Sequence, residues 1–202
     1  MSGPTTIHLI RHGDTDASGE GYFSGDFDPP ITASGIAQAE ALSKKVAALR
    51  PTVIYVSPKL RARMTAEPTA RATGLTPIVE DGLREISYGT WDGRHETEIR
   101  ASEPAAYERW CTDPGTHSPP GGESGFVIAA RAMPVIARIL ADHENEVVAV
   151  FSHKATIRIL TCTLLGIEVS RFRDRVSCPT ASITTFTFGP RGAMLVRVGE
   201  PT

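Results

Sequence analysis

The sequence predicts an α/β fold: a three-layer α/β/α sandwich around a mainly parallel central sheet, with a small helical lid. Three observations predict it. Short apolar, β-branched runs alternate with stretches of three- and four-residue apolar periodicity, the pattern of strand–helix units that build a parallel sheet covered on both faces. Three of those runs end alike: Ile7-His8-Leu9-Ile10 leads into Arg11-His12-Gly13, Val53-Ile54-Tyr55-Val56 into Ser57-Pro58 and then Arg61, and Val147-Val148-Ala149-Val150-Phe151 into Ser152-His153. Residues 80–125 then break the alternation with two tryptophans, many charges and a Pro/Gly-rich loop. One domain over 1–202 is expected, with the lid or side wall at about 85–125.

Each element follows from local signals. Thr6–Ile10 reads as a buried strand. Thr32 is a fitting N-cap for a helix to about Leu49, with Ile36, Ala39, Leu42, Val46 and Leu49 on its inner face, and Pro51 stops it. Val53–Val56 is the second strand. A helix from about Leu60 to Thr73 ends at Gly74, and Pro68 should kink or restart it. Thr76–Val79 is a short strand near an edge. Short helices are expected around Glu96–Ala101 and Ala105–Trp110. A longer one runs from about Ser124 to Asp142, with Phe126, Ala130, Met133, Ile136 and Leu140 inward. Glu146–Phe151 is a strand, Lys154–Leu165 a helix ended by Gly166, and Ile183–Phe188 with Met194–Val198 a closing hairpin.

Composition narrows the function classes. With 202 residues, 41% hydrophobic and 22% charged, the chain has the make-up of a globular protein. A formal charge of −2 gives no pull toward nucleic acid or a membrane surface, so any anion site must come from local clustering. No apolar run approaches the roughly 18 residues that span a bilayer. The first residues lack the basic and apolar regions of a signal peptide. Cys111, Cys162 and Cys178 are odd in number and far apart, which argues against a disulfide framework or a zinc site and for a reducing cytoplasm. No residue pattern selects an oligomer, and a homodimer is the one assembly entertained.

In a parallel α/β sheet ligands bind at the carboxyl ends of the strands. Two arginines and two histidines converging there suit a dianionic phosphate, which arginine matches with paired donors. A neutral imidazole attacks phosphorus without a metal. The reaction further needs charge stabilisation at the equatorial oxygens, an acid for the leaving alkoxide and a fixed nucleophile. Arg11, Arg61 and His153 could supply the first, and Glu85 the second. Simpler readings stand beside these: Arg61 as a helix cap or partner of Glu67, and Glu85 as part of a solvated cluster with Asp81 and Arg84. His8 is expected to be packed in its strand, and His95, His117 and His143 to be exposed. Arg171, Arg173 and Arg175 read as a solvated face, and the cysteines as small buried residues. Trp91 and Trp110 read as lid core, and either could line the pocket mouth. No metal-ligand spacing, Walker A loop or dinucleotide fingerprint is present, and Gly122-Glu123-Ser124-Gly125 misses the serine hydrolase elbow by one position.

With Arg11-His12-Gly13-Asp14-Thr15 the chain resembles the histidine phosphatase superfamily, phosphoglycerate mutase-like branch, whose motif is RHGxT. Further matches follow in the family's order. Ser24-Gly25-Asp26 with Asp28, Pro30-Ile31-Thr32, Gly35 and Gln38-Ala39 is similar to its next stretch. Ser57-Pro58-Lys59-Leu60-Arg61-Ala62 with Thr65-Ala66 resembles the segment of the second arginine. Leu83-Arg84-Glu85, Tyr88-Gly89 and Trp91-Asp92-Gly93 resemble the acidic segment. Pro120-Gly121-Gly122-Glu123-Ser124 resembles a helix start, and Ser152-His153 the second-histidine motif. The resemblance covers nearly the whole chain.

It implies that His12 is the phosphorylated nucleophile, that Arg11, Arg61 and His153 bind the phosphoryl group and that Glu85 donates the proton. No cofactor is expected, and no metal, because the positive charge comes from side chains and the sequence has no ligand cluster. Two positions depart from the family. Ser18 stands where an asparagine often touches phosphate, and Lys154 where glycine usually follows the second histidine; Lys154 either adds charge beside the phosphate or crowds the pocket. Ser18, Ser24 and Lys154 join the expected substrate-binding set. The expected activity is hydrolysis of a small phosphorylated metabolite through a phosphohistidine. A phosphoglycerate mutase and a non-catalytic phospholigand-binding protein are the alternatives. The compact stretch from Glu85 to Glu123 argues against the mutase, and the complete residue set against mere binding.

Overall fold

The computed structural model describes residues 3–19 and 21–201. Its strands are β1 (Thr5–Arg11), β2 (Val53–Val56), β3 (Ile78–Val79), β4 (Val147–Ser152), β5 (Ile183–Gly189) and β6 (Gly192–Glu200). They form one sheet in the order β3-β2-β4-β1-β5-β6. The first four are mutually parallel, whereas β5 runs antiparallel to β1 and β6 to β5. The alternation of strands and helices imposes the parallel part; the hairpin needs only a short turn, so it adds antiparallel strands at the edge.

The pleat sorts the core into two layers. Ile7, Leu9, Tyr55, Val148 and Val150 point to one face, where α5 (Gly125–Asp142) and α6 (Lys154–Leu165) cover them. Ile10, Ile54, Val56, Ala149 and Phe151 point to the other, covered by α1 (Ala33–Ala48) and α2 (Leu60–Thr73). β1 and β4 are buried on both faces, which explains their near-continuous apolar runs. α3 (Glu96–Ser102) and α4 (Pro104–Thr112) form the expected side wall, around a separate cluster of Phe23, Trp91, Ile99 and Trp110. The short α7 (Phe172–Arg175) follows α6.

Several boundaries fall where punctuation residues put them. Thr32 caps α1 by accepting from the Gly35 N–H at 3.0 Å, and Ser124 caps α5 by accepting from Val127. Gly74 and Gly166 end α2 and α6 in the left-handed conformation, at φ 74° and 68°. α2 does not restart at Pro68, which is buried inside it.

Two helix faces differ from expectation. Ile36 is 49% exposed, because Gly35 takes the inner position against the loop after β1. A Cβ on Gly13 would come within 2.7 Å of the Gly35 carbonyl, and one on Gly35 within 2.3 Å of the Asp14 carbonyl. In α5 Phe126 and Ala130 are exposed, and Ile128, Ala132, Val135, Ile136 and Ile139 are buried. This helix is apolar on more than one face, so periodicity alone does not fix its rotation. Backbone bonds from Gly125 and Phe126 to the Pro114 and Gly115 carbonyls fix it instead.

His8 is packed as expected, its Nδ1 2.9 Å from the Thr185 hydroxyl, and burial pushes its pKa down to about 4. His143 is half-buried, between the Tyr55 hydroxyl and Glu146. His95 is half-buried too and caps α3. Cys162 and Cys178 are buried; Cys111 is exposed, because α4 turns it outward. Among the described residues no helix is long and apolar enough to cross a membrane.

Candidate active site

The strand order places the ends of β2, β4 and β1 side by side. Arg11 ends β1 and His12 follows it; Ser57 follows β2, and Arg61 lies in the first turn of α2; His153 joins β4 to α6. A backbone bond from His12 N–H to the Ser152 carbonyl and one from Ser57 N–H to the Phe151 carbonyl tie the three ends together. A cavity of about 250 Å³ opens there, and its walls include Arg11, His12, Arg61 and Glu85.

His12 is oriented by its own backbone. Its Nδ1 lies 2.8 Å from the Gly13 carbonyl oxygen, which can only accept, so Nδ1 carries the proton and Nε2 keeps a free lone pair. Burial holds its pKa well below the ordinary histidine value, and the nearby Arg11 and Arg61 guanidiniums add to the effect. The ring is therefore neutral near pH 7. The loop behind it is clamped: Gly13 N–H donates to the Thr65 hydroxyl at 3.0 Å and Asp14 N–H to the Gln38 amide oxygen at 2.8 Å.

Arg61 is only 1% exposed and is not a simple helix cap. It does not pair with Glu67, which pairs with Arg71. Its guanidinium donates to Asp28 at 2.9 Å and to the carbonyls of Ser24, Gly25 and Phe27 at 3.0, 3.3 and 3.1 Å. Arg11 donates to the Cys178 carbonyl at 2.7 Å, and its buried Nε has no partner. Glu85 is buried and belongs to no solvated cluster; Arg84 beside it pairs with Asp81 and Glu123. The Glu85 carboxyl sits against the start of α6, accepting from the backbone N–H groups of Ala155 and Thr156 at 3.2 and 3.3 Å and of Ile86 at 3.0 Å.

His153 is fully buried, and its ring centroid is 5.2 Å from that of His12. It stands beside His12 and is not part of the cavity wall. Its Nε2 is 2.7 Å from the Ser57 hydroxyl, and its buried Nδ1 has no partner. Burial, then Arg61 and His12, hold its pKa well below the ordinary value. The Ser57 oxygen also accepts from Lys59 N–H. With two lone pairs and one proton, the hydroxyl satisfies Nε2 in either tautomer, and Nδ1 has no partner in both.

The remaining expected residues all line the cavity, in different ways. The Ser18 hydroxyl is engaged in a turn with Thr15, 3.0 Å from its N–H and 2.9 Å from its hydroxyl. The Ser24 hydroxyl donates to the Phe27 carbonyl at 2.9 Å. Lys154 is exposed at the wall, at the start of α6.

Sequence reasoning missed three groups. Arg158 and Arg173 line the same cavity. Arg173 is exposed as expected, and its guanidinium carbon also stacks 4.1 Å over the Trp110 ring. Trp110 itself is lid core that also reaches the cavity. Asp92 holds the Ser24–Asp28 loop: one carboxylate oxygen accepts from the N–H groups of Gly25, Asp26 and Phe27 at 2.7, 2.9 and 3.2 Å, the other from Tyr88 at 2.9 Å. The spacing of Lys154 and Arg158, four apart at the start of a helix, could have revealed the first group. Asp92 lies in the Trp91-Asp92-Gly93 match, which marks the residue but not the loop it holds, and nothing local marks Arg173.

Comparison with known proteins fits this geometry. The family model of the histidine phosphatase superfamily (branch 1) matches residues 7–201. Phosphoserine phosphatase 1 of Hydrogenobacter thermophilus is 30% identical over 190 residues, covering 94% of this chain and 90% of the relative. Glucosyl-3-phosphoglycerate phosphatase of Mycobacterium tuberculosis is 31% identical over 172 residues, 81% of this chain and 77% of the relative. The native structure of mycobacterial glucosyl-3-phosphoglycerate phosphatase superposes with a TM-score of 0.87 at 28% identity, covering 98% of this chain and 99% of that one. That of a putative alpha-ribazole-5'-P phosphatase from Escherichia coli gives 0.86 at 26% identity, with 98% of each chain covered. The chain belongs to the histidine phosphatase superfamily, branch 1.

Proposed function

We propose that this protein is a metal-independent phosphatase that hydrolyses a small-molecule phosphomonoester through a phosphohistidine at His12. The observation that carries the reading is the His12 ring. Its Nδ1–H is spent on the Gly13 carbonyl, so the free Nε2 belongs to a neutral imidazole in a cavity shared with Arg11, Arg61 and Glu85.

The phosphoryl oxygens take the free donors of Arg11 and Arg61, while His153, beside His12 and outside the cavity wall, acts by packing next to the nucleophile. Nε2 attacks phosphorus, the bond from phosphorus to the ester oxygen breaks, and Glu85 gives that oxygen its proton. Water then attacks the phosphohistidine. Glu85 takes one proton from it, and inorganic phosphate leaves with His12 restored. Ser18 and Ser24 act by shaping the wall, since their hydroxyls are used locally. One domain carries the whole site, and its three free cysteines suit a reducing compartment such as the cytoplasm.

The test is turnover of p-nitrophenyl phosphate by the wild type and by His12→Ala, with trapping of an acid-labile phosphoryl-enzyme. The variant should lose at least about three decades of kcat and all of the trapped label. Near-normal turnover by the variant refutes the mechanism.

A further inference from the structure

The cavity carries more positive charge than one phosphoryl group uses. Besides Arg11 and Arg61, its wall holds Lys154, Arg158 and Arg173. The same three residues line a second hollow of about 480 Å³, so they form the boundary between the two spaces. None of the three makes a salt bridge among the described residues. Arg61 has Asp28 and Arg171 has Asp174.

The carboxylates around them are already engaged. Glu85 accepts from three backbone N–H groups, Glu96 from the Tyr107 hydroxyl, and Asp174 from Arg171. The buried Nε of Arg158 has no hydrogen-bond partner. Arg173 is held in place by its stacking on Trp110. Burial and neighbouring guanidiniums push Lys154 and Arg158 below their ordinary values, Arg11 and Arg158 acting on Lys154 and Arg173 on Arg158. Such a cluster is stabilised by an anion that enters from outside.

We propose that Lys154, Arg158 and Arg173 form a second anion subsite, and that the substrate is a phosphomonoester bearing a further anionic group, a carboxylate or a second phosphate. The subsite rests on the phosphatase reading for what occupies the neighbouring cavity. Placing the ester phosphorus at His12 directs the rest of the substrate between α6 and the Trp110 wall, and a terminal anion there meets three cations. A guanidinium fork favours the planar, bidentate match of a carboxylate or phosphate.

Three non-hydrolysable probes separate the possibilities by calorimetry on the full chain: propylphosphonate, 3-phosphonopropanoate and propane-1,3-bisphosphonate. Either doubly anionic probe should bind at least about tenfold tighter than propylphosphonate, and the larger gain identifies the group preferred. Lys154→Gln, Arg158→Gln and Arg173→Gln should each shrink that ratio, and the triple variant should abolish it. Should Arg158→Gln fail to fold, the double variant at the exposed Lys154 and Arg173 makes the same test. Equal affinity for all three probes, or variants that weaken all three equally, overturns the subsite. Turnover of p-nitrophenyl phosphate, which carries no second anion, reports the phosphatase reading alone: its absence in the wild type overturns that reading whatever the probe affinities.

Discussion

Glu85→Gln separates proton donation from packing. The carboxyl has one oxygen on the Ile86 and Thr156 N–H groups and the other on the Ala155 N–H. Glutamine keeps one acceptor, so its amide NH2 must face a backbone N–H that can only donate. Leaving one such donor unpaired in a buried site costs about 1–3 kcal/mol. For a domain of this size that lowers Tm by a few degrees to about ten. The kinetic effect is separable, because general acid catalysis contributes roughly 10²–10⁴-fold when the leaving group is a poor one. An alkyl phosphate should therefore slow by that factor. p-Nitrophenyl phosphate, whose phenolate leaves without a proton, should slow far less. The assay is kcat/KM for both esters at one pH, beside a thermal melt. Equal losses on both esters refute the acid role and return Glu85 to a helix-anchoring one.

Three further outcomes follow from the same geometry. Asp92→Ala removes the acceptor of four backbone N–H groups and loosens the loop that holds Arg61; about 2–4 kcal/mol of stability and a weaker inhibition by inorganic phosphate should be lost together, and unchanged values for both would sink the link. Stability should fall on acidification from pH 6.5: His8, His12 and His153 are all held below that value by burial, so the unfolded chain binds protons that the folded one refuses. The slope is about 1.4 kcal/mol per pH unit for each histidine, read by urea unfolding from pH 7.5 to 5, and His8→Gln should remove about a third of it; a flat profile contradicts the burial argument. Turnover should survive EDTA, since the positive charge comes from side chains and the described residues hold no cluster of three metal-ligating groups; loss on chelation with recovery on a divalent ion would reject this.

What the sequence revealed was what neighbouring residues decide. α2 and α6 begin and end where expected, because Gly74 and Gly166 are left-handed stops and the residues before each helix are extended. Arg11, His12, Arg61 and His153 were legible because each lies on or just beyond a strand, and strand ends meet in a parallel sheet. Depth was not legible: nothing in Ser152-His153 says that the ring lies behind His12 rather than in the wall. Rotation was not legible for α5, which is apolar on several faces. Arg173 and Asp92 act across long loops, on Trp110 and on the Ser24–Asp28 segment. Such contacts depend on how α4, α7 and the loops close, and no periodicity encodes that.

The charges of the site work together in a way no single residue does. In the proposed mechanism Arg11 and Arg61 attract the phosphoryl dianion, and the same two guanidiniums help keep His12 unprotonated. Anion binding and a nucleophilic lone pair thus share one cause. Attack reverses the demand, because the imidazole gains positive charge as Nε2 bonds to phosphorus. Its Nδ1–H then becomes a charged donor to the Gly13 carbonyl, and that bond strengthens as the transition state forms. The phosphoryl group now lies between the ring and the arginines and screens their repulsion. A cationic side chain in that place would oppose this, whereas a backbone oxygen favours it without a titratable group. A side chain at Gly13 or Gly35 would collide with the facing backbone, so in this mechanism either substitution would also shift the oxygen that takes the developing charge.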